Sequence, residues 1–325
     1  MKKRESSKFV KSIKFSTWLN FTASNSLEEV ILGYPTFRKL VNTLVNLEKA
    51  KHAVDLLRYL FIGFLGSVQI VDSQEIKLAE FLTAEGVLMA VGNKAFRISS
   101  AFIDELMRRR VISDLYKSSP QTAIPKKNGF LDIINILRTA IQFFDKDVIT
   151  NAFARSFKTA RDLYVGGQKM EHVPRESVYD TELNRILVNW LCRMGGFEVT
   201  GQWHMVQNHD GEKDKHSYSD IVITTDRQKI VLELLATATK KELDEHFERV
   251  LKYAELLSAD ELWIVHFTCE DGCATQKNLQ WPSDDRINVV HIFHDWKFNV
   301  LMNARYAGSA GTMEYIVDQT VPLQS

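Results

Sequence analysis

Cysteine is scarce in this chain: Cys192, Cys269 and Cys273 are its only three. They are too few and too clustered for a disulfide framework, which points to a reducing compartment. No run of eighteen apolar residues occurs, so no transmembrane helix is expected. The N-terminus, MKKRESSKFVKSIKF, carries charge without an apolar stretch, and no secretory signal peptide is expected from it. A GxxxxGK[ST] loop is missing, because GFLGSV at 63–68 lacks both the spacing and the Lys, and this argues against an NTPase. There is no GxSxG to mark a Ser nucleophile. His266, Cys269, Cys273, His291 and His294 offer zinc-ligand types, but the CxxxC spacing lacks the paired repeat of a zinc site. Net charge is also absent, with 41 Lys+Arg against 41 Asp+Glu.

What is present suits a soluble globular protein of about two domains: 325 residues, 45% of them hydrophobic and 25% charged. The zero net charge hides an asymmetry. Residues 1–170 carry 26 Lys+Arg against 16 Asp+Glu, and residues 171–325 carry 15 against 25. The basic half either holds a polyanion or faces the acidic half. A basic segment covers 1–30, with Lys2, Lys3, Arg4, Lys8, Lys11 and Lys14 at its head. From Pro35 to Leu65 apolar residues recur every three or four places and predict two helices. SQEIKLAEFLTAEG then reads as a helix capped by Ser73 and stopped at Gly86, VLMAVGNKAFRIS as a hairpin turning at Gly92 and Asn93, and SAFIDELMRRRVI as another helix. That outline is a winged module over 31–118. Arg97, Arg108, Arg109 and Arg110 suit a DNA-reading helix, while the alternative is a packing lid.

A helical connector is expected over 119–172, a second domain over 173–300 and a tail over 301–325. In the second domain ESVYDTELNRILVNWLCRM reads as a helix, FEVTGQWHMVQ, YSDIVITT and KIVLELLATA as strands, KKELDEHFERVLKYAELL as a crossover helix, and ELWIVHFTCE and INVVHIFHDW as further strands. This order gives an α/β chain (α+β overall) in which a mixed sheet carries helices on both faces. Trp203, Trp263, Trp281 and Trp296 read as core and interface rather than as base-stacking platforms.

The chemistry concentrates in HSYSDIVITTDRQKIVLELLATATKKELDEHFERVLKYAELL. Asp220 lies near the start of one strand and Glu233 in the middle of the next, each among hydrophobic neighbours. An ionised carboxylate is costly to bury without a partner, so two on neighbouring strands suggest a cation. Residues two apart share a strand face, which points Glu233 and Leu235 the same way and sets Asp220 across from them. Hard oxygen donors suit Mg²⁺ better than a transition metal. His246, Arg249 and Tyr253 fall on one face of the following helix, turned either to this site or to solvent beside Glu242 and Asp244.

This order resembles the core of the PD-(D/E)xK nuclease superfamily, which has the restriction-endonuclease-like fold. Asp220 and Glu233 match the strand carboxylates of its motif, Glu182 in YDTELNRILVNWL matches the helix Glu, and Leu235 stands where the motif has Lys. The resemblance implies that Asp220 and Glu233 ligate Mg²⁺, with Glu182 as a further metal or metal-water ligand. Without the motif Lys, its charge would have to come from Lys240 or Lys241 at the head of the next helix. FLTAEGVLMAVGNKAFRISSAFIDELMRRRVI, followed by a connector and this nuclease-like half, is similar to the tail of the AAA-ATPase-like module that precedes such domains in Crinkler effectors. VPRESVYDTELNRILVNW, TGQWH, YSDIVI, ELLATAT, LDEHFERVLKYAELL and WIVHFTCE strengthen the likeness, which spans roughly residues 50–300 and favours the lid. The secretion and translocation header of that family is not found. The implied function is Mg²⁺-dependent cleavage of DNA. The alternative is a pseudonuclease that binds nucleic acid or a host protein. The implied address is intracellular, the nucleus included, although the family is secreted into host cells.

Overall fold

The computed structural model describes residues 30–207, 215–274, 279–308 and 312–324. All but the last residue of the basic segment 1–30, and the polar turn 208–214, lie outside the described residues.

The first part is helical, with a small sheet. Helices α1 (Pro35–Asn46) and α2 (Glu48–Leu60) break at Leu47, whose extended backbone (φ −85°, ψ 113°) ends one and opens the other. Strand β1 (Val68–Gln69), helix α3 (Ser73–Ala84), the β2–β3 hairpin (Leu88–Gly92, Ala95–Ile98) and helix α4 (Ala101–Leu106) follow. The cap of α3 is Asp72 rather than Ser73: its carboxylate accepts the N–H groups of Gln74 and Glu75. Gly86 ends this segment at φ +79°, a conformation open to a residue without Cβ. Beyond α4 the chain continues as a π-helical turn, Met107–Ile112. Leu44, Leu57, Leu82, Val111 and Ile112 are among the residues that close a core of their own here.

The expected helical connector contains two helices and two hairpins. Asp145 caps a new helix by accepting from Asp147 and Val148, and so divides α5 (Ile133–Ile141) from α6 (Lys146–Arg155). After the short β4–β5 hairpin (Lys126–Lys127, Phe130–Leu131) that precedes them, the next two strands are β6 (Phe157–Val165) and β7 (Gln168–Pro174). Gly166 and Gly167, at φ +59° and +77°, form their turn, the backbone state a tight hairpin needs.

Helix α7 (Glu176–Leu187, continuing through a π turn at Val188–Cys192) leads into a seven-stranded sheet of β8 (Glu198–Gln207), β9 (Lys215–Thr224), β10 (Lys229–Ala236), β11 (Glu261–Thr268), β12 (Ile287–His294), β13 (Val300–Ala307) and β14 (Met313–Val321), with helix α8 (Lys240–Leu257) between β10 and β11. The strands lie in chain order. Pairs β8–β9 and β9–β10 are antiparallel, β10–β11 and β11–β12 parallel, and β12–β13 and β13–β14 antiparallel. The mixed α/β sheet of the sequence reading is therefore present. The expected tail after residue 300 is instead its last two strands.

Period-two alternation sorts the layers. Ile221, Ile223, Ile230, Leu232 and Leu234 pack toward α5 and α7. Val222, Val231 and Leu235 pack beneath Leu243, Phe247 and Val250 of α8. No described helix is long and apolar enough to cross a membrane.

Candidate functional site

The ladder between β9 and β10 has Leu232 opposite Ile221 as its last pair. Glu233 and Asp220 occupy the next positions. They share the parity of Val231 and Val222, so both belong to the α8 layer. Asp220 Oδ2 accepts the Leu234 N–H at 2.7 Å, which ties the carboxylate to the neighbouring strand. Glu233 is 2% exposed. Its Oε1 meets Arg249 Nη2 at 2.7 Å and His246 Nδ1 at 3.4 Å, while Oε2 is buried without a partner. The face of α8 that carries His246 and Arg249 is thus turned toward Glu233.

Helix α7 adds two carboxylates that the motif reading passed over. Glu176 stands in its first turn and Asp180 four residues on, an offset that returns to the same helix face. Asp220 is pushed well above the ordinary carboxylate range, first by burial and then by Glu233, Glu176 and Asp180. Glu176 is pushed up to about 7 by burial, with Glu233 and Asp180 adding to it and Arg249 and Lys158 opposing. Burial also raises Asp180, against the pull of Arg108. The four carboxylates therefore share one electrostatic neighbourhood, and Asp180 Oδ1, like Glu233 Oε2, has no partner.

Glu182 is not brought to this group. It is fully buried, with Oε1 on Arg58 Nη2 at 2.5 Å, Oε2 on Arg185 Nη2 at 2.9 Å, and the Asp145 N–H donating to Oε2 at 3.0 Å. These cations hold its pKa down to about 2, against the opposing push of burial. Six positions beyond Glu176, its side chain leaves α7 on another face. Its lone pairs are spent on a structural ion pair.

Lys240 and Lys241 do not supply the missing charge either. Lys241 is 87% exposed at its side chain and pairs with Glu245 at 3.6 Å; Lys240 lines a separate crevice with His266 and His291. Leu235 is 4% exposed within the α8 packing. The cations that do influence the carboxylates are Arg249 and Lys158 at Glu176 and Arg108 at Asp180. Lys158 lies on β6, with its Nζ donating to the Thr237 carbonyl at 3.2 Å just beyond the end of β10.

The histidines offered for zinc are committed elsewhere. The Ala238 N–H donates to His266 Nε2 at 3.0 Å, so His266 carries its proton on Nδ1 and donates to His291 Nδ1 at 2.9 Å; His291 Nε2 then donates to the Gln280 carbonyl. His294 meets the Tyr179 hydroxyl at 2.6 Å. Trp263 is buried, whereas Trp296 is 51% exposed; the side chain of Trp203 lies outside the described residues. Of the arginines expected to read DNA, Arg108 is paired with Asp104 and Asp180 and Arg109 lies 3.9 Å from Glu105, both nearly buried, whereas Arg97 is exposed.

The four side chains Glu176, Asp180, Asp220 and Glu233 offer oxygen donors alone, and two of those atoms, on Asp180 and Glu233, are buried without a hydrogen-bond partner. No group of three or more His, Cys, Asp or Glu side chains is arranged to hold a metal ion among the described residues. No family model matches the chain, and no curated protein does. Among solved structures, the protein VC1899 from Vibrio cholerae aligns at 9% identity and a TM-score of 0.23, covering 72% of this chain and 47% of its own. Pyrococcus furiosus SfsA, solved in complex with Ca²⁺, aligns at 9% identity and a TM-score of 0.24, covering 52% of this chain and 77% of its own. This chain thus spans about half the length of the Vibrio protein. Neither likeness bears on the chemistry, which rests on the side chains above.

Proposed function

We propose that this chain is a nuclease-like protein of Crinkler type whose C-terminal half cleaves DNA phosphodiester bonds with Mg²⁺. The observation that carries the reading is the group Glu176, Asp180, Asp220 and Glu233, in which Glu233 and Asp180 raise Glu176, and Glu233, Glu176 and Asp180 raise Asp220. Such mutual repulsion is relieved by a cation or by protons. Asp220 and Glu233 are the ligands in this reading, and Glu176 takes the helix position first expected of Glu182. Bound there, Mg²⁺ supplies Lewis-acid polarisation of the scissile phosphate and a more acidic water. Lys158 takes the charge-stabilising role first expected of Lys240 or Lys241. Arg249 is partly exposed, and its Nη2 meets both Glu233 Oε1 and the His246 ring; a cation on Glu233 would take over its neutralising role and free it for a substrate phosphate. The basic first half, the absence of a described membrane-crossing helix and the basic lead fit an intracellular protein that meets DNA, the nucleus included.

One observation favours a second reading. Arg249 already neutralises Glu233, and Leu235 is fixed in the core, as expected of a pseudonuclease that binds nucleic acid or a host protein without cutting. Plasmid nicking separates the two. Cleavage with Mg²⁺ by the wild type, abolished in Asp220→Ala and Glu233→Ala, supports the hydrolase. A salt-dependent DNA shift with no nicking in Mg²⁺ or Mn²⁺ supports the binder. If neither occurs, both nucleic-acid readings fall.

A further inference from the structure

A cavity of about 990 Å³ lies beside Arg185 of α7, where the helical first part, the connector and the end of the sheet meet. Its size and its place at a junction are those of a small-molecule pocket. Its walls come from residues 116–118, 143–146, 298–301 and 320–324, with Phe293 of β12. One side chain fixes two of these walls. Arg185 Nη1 donates to the carbonyls of Tyr116 at 3.0 Å and Ser118 at 2.7 Å, and its Nη2 donates to that of Phe143 at 3.1 Å. The stretches that carry Lys117 and Lys146 are therefore anchored on a single buried guanidinium. The Gln324 N–H donates to the Gln142 carbonyl at 2.8 Å, which ties the wall after β14 to the wall after α5.

The apolar lining is incompletely covered. Phe144, Phe298 and Val321 are buried, whereas Phe143, Phe293, Leu301 and Leu323 are only half-buried, which leaves apolar surface facing the cavity. The polar lining is mostly committed. Asp145 Oδ1 caps α6, and its Oδ2 meets Arg58 Nη1 at 3.0 Å. Asp295 accepts the N–H groups of Lys297 and Asn299 and the Asn299 side-chain amide. Arg58 and Arg185 are held by Glu182. Lys117 and Lys146 are exposed and form no ion pair with a described residue, so the uncommitted charge of the lining is positive. We infer that this cavity binds a small organic anion, with its ring or chain on Phe143, Phe293 and Leu301 and its acidic group met by Lys117 and Lys146. A neutral compound would leave both ammonium groups without a counter-charge, and a bare inorganic anion would leave the apolar walls uncovered. The site is separate from the carboxylates of the proposed function and does not rest on that reading. Because its walls come from both halves of the chain, an occupant also holds the helical module against β12–β14.

The test is a fluorescence titration of the full chain with anilinonaphthalene sulfonate, an aromatic body bearing one acidic group, beside its uncharged counterpart N-phenylnaphthylamine. The sulfonate should bind once per chain, about tenfold more tightly than the neutral compound. Lys117→Glu and Lys146→Glu should each weaken sulfonate binding about tenfold and change that of the neutral compound less than about twofold. Leu301→Trp, which fills the cavity from β13, should abolish binding of both. Thermal melts identify any variant that fails to fold, and the exposed lysines keep the question open to measurement if Leu301→Trp is lost. Absence of sulfonate binding by the wild type overturns the inference. So does undiminished binding by a folded Leu301→Trp, which places the probe elsewhere. Equal affinity for the charged and neutral compounds, or sulfonate affinity unchanged in both lysine variants, overturns it as well, because the cavity is then apolar without an anion site. None of these outcomes bears on Mg²⁺ or DNA, so the proposed function stands or falls separately.

Discussion

Glu182 and Asp220 are both acidic and both looked like metal ligands in the sequence, yet their neutralisation should move stability in opposite directions. Glu182→Gln removes the carboxylate shared by Arg58 and Arg185, whose side chains are each 2% exposed. Breaking a buried ion pair from one side costs about 3–5 kcal/mol, because the remaining charge is left uncompensated. Linkage gives a similar size: a pKa lowered from 4.5 to about 2 corresponds to about 3 kcal/mol. Asp145 still holds Arg58, at 3.0 Å, so the loss should sit at the lower end. Because the folded pKa is the lower one, this contribution is complete above pH 4.5 and disappears as pH falls toward 2. Asp220→Asn instead removes one of four mutually repelling carboxylates, and should raise the melting temperature while abolishing Mg²⁺ binding. Thermal melts at pH 7 without added metal, paired with calorimetric Mg²⁺ titration, read both effects. A 3 kcal/mol loss lowers the melting temperature by roughly 6–12 °C if the chain behaves like domains of 150–250 residues. If Glu182→Gln melts with the wild type and loses Mg²⁺, Glu182 is a ligand and the structural ion pair is refuted.

Two further outcomes follow from the placement of the lysines and of Leu235. Lys158→Ala should depress cleavage, or DNA affinity if the protein only binds, by tenfold or more, whereas Lys240→Ala with Lys241→Ala should change it less than twofold in low salt; the reverse pattern returns the charge role to the head of α8. Leu235→Lys should lower the unfolding midpoint by several kcal/mol rather than create activity, because the ammonium would enter the packing of Leu243 and Phe247; urea titration beside the nicking assay decides it.

The sheet was legible where alternation was clean. Ile221, Ile223 and Leu232 on one face and Val222, Val231 and Leu235 on the other reveal both the strands and their two helical layers. The last two strands were not, because the β13–β14 register shifts between Met302 and Ala304 and Asp318 adopts φ +46°, which breaks the alternation of MEYIVDQTV. The β6–β7 hairpin was hidden in the same way: its register shifts between Thr159 and Leu163, and its second strand runs across the boundary expected at residue 173. At the site, the strand carboxylates could be found from their positions, since adjacent antiparallel strands bring equivalent positions together. The helix carboxylate could not, because a motif names a residue type and not its partners. Glu182 meets Arg58 across 124 positions, a contact that no local pattern contains. The offset of four between Glu176 and Asp180 is the available signal, and it competes with the closer match of Glu182 to the motif's helix Glu.

The repulsion among the site carboxylates has a pH signature that separates a working cation site from a neutralised relic. Glu176 is raised to about 7, and so is Glu105, which is partly buried beside Arg109 and Arg108 and accepts the Gly201 N–H at 3.4 Å. For a carboxylate whose folded pKa lies above the unfolded one, the folded state binds the extra proton, so stability falls as pH rises from 4.5 through 7. Each group contributes at most about 3 kcal/mol to that fall before solvent screening reduces it. Glu105→Gln removes its share and leaves that of the site carboxylates Glu176, Asp180 and Asp220, with Glu261, for measurement. In the hydrolase reading Mg²⁺ would compete with the proton at Glu176, so at a hundred times its dissociation constant it should restore about 2.7 kcal/mol at pH 7.5, with little effect at pH 5. Melting curves of Glu105→Gln across this range, with and without Mg²⁺, test the point, and Asp220→Asn should remove the metal dependence. Should Arg249 already satisfy the group, the curves with and without Mg²⁺ would coincide at every pH. In that event the carboxylates are neutralised from within the protein, and the pseudonuclease reading stands in place of the hydrolase.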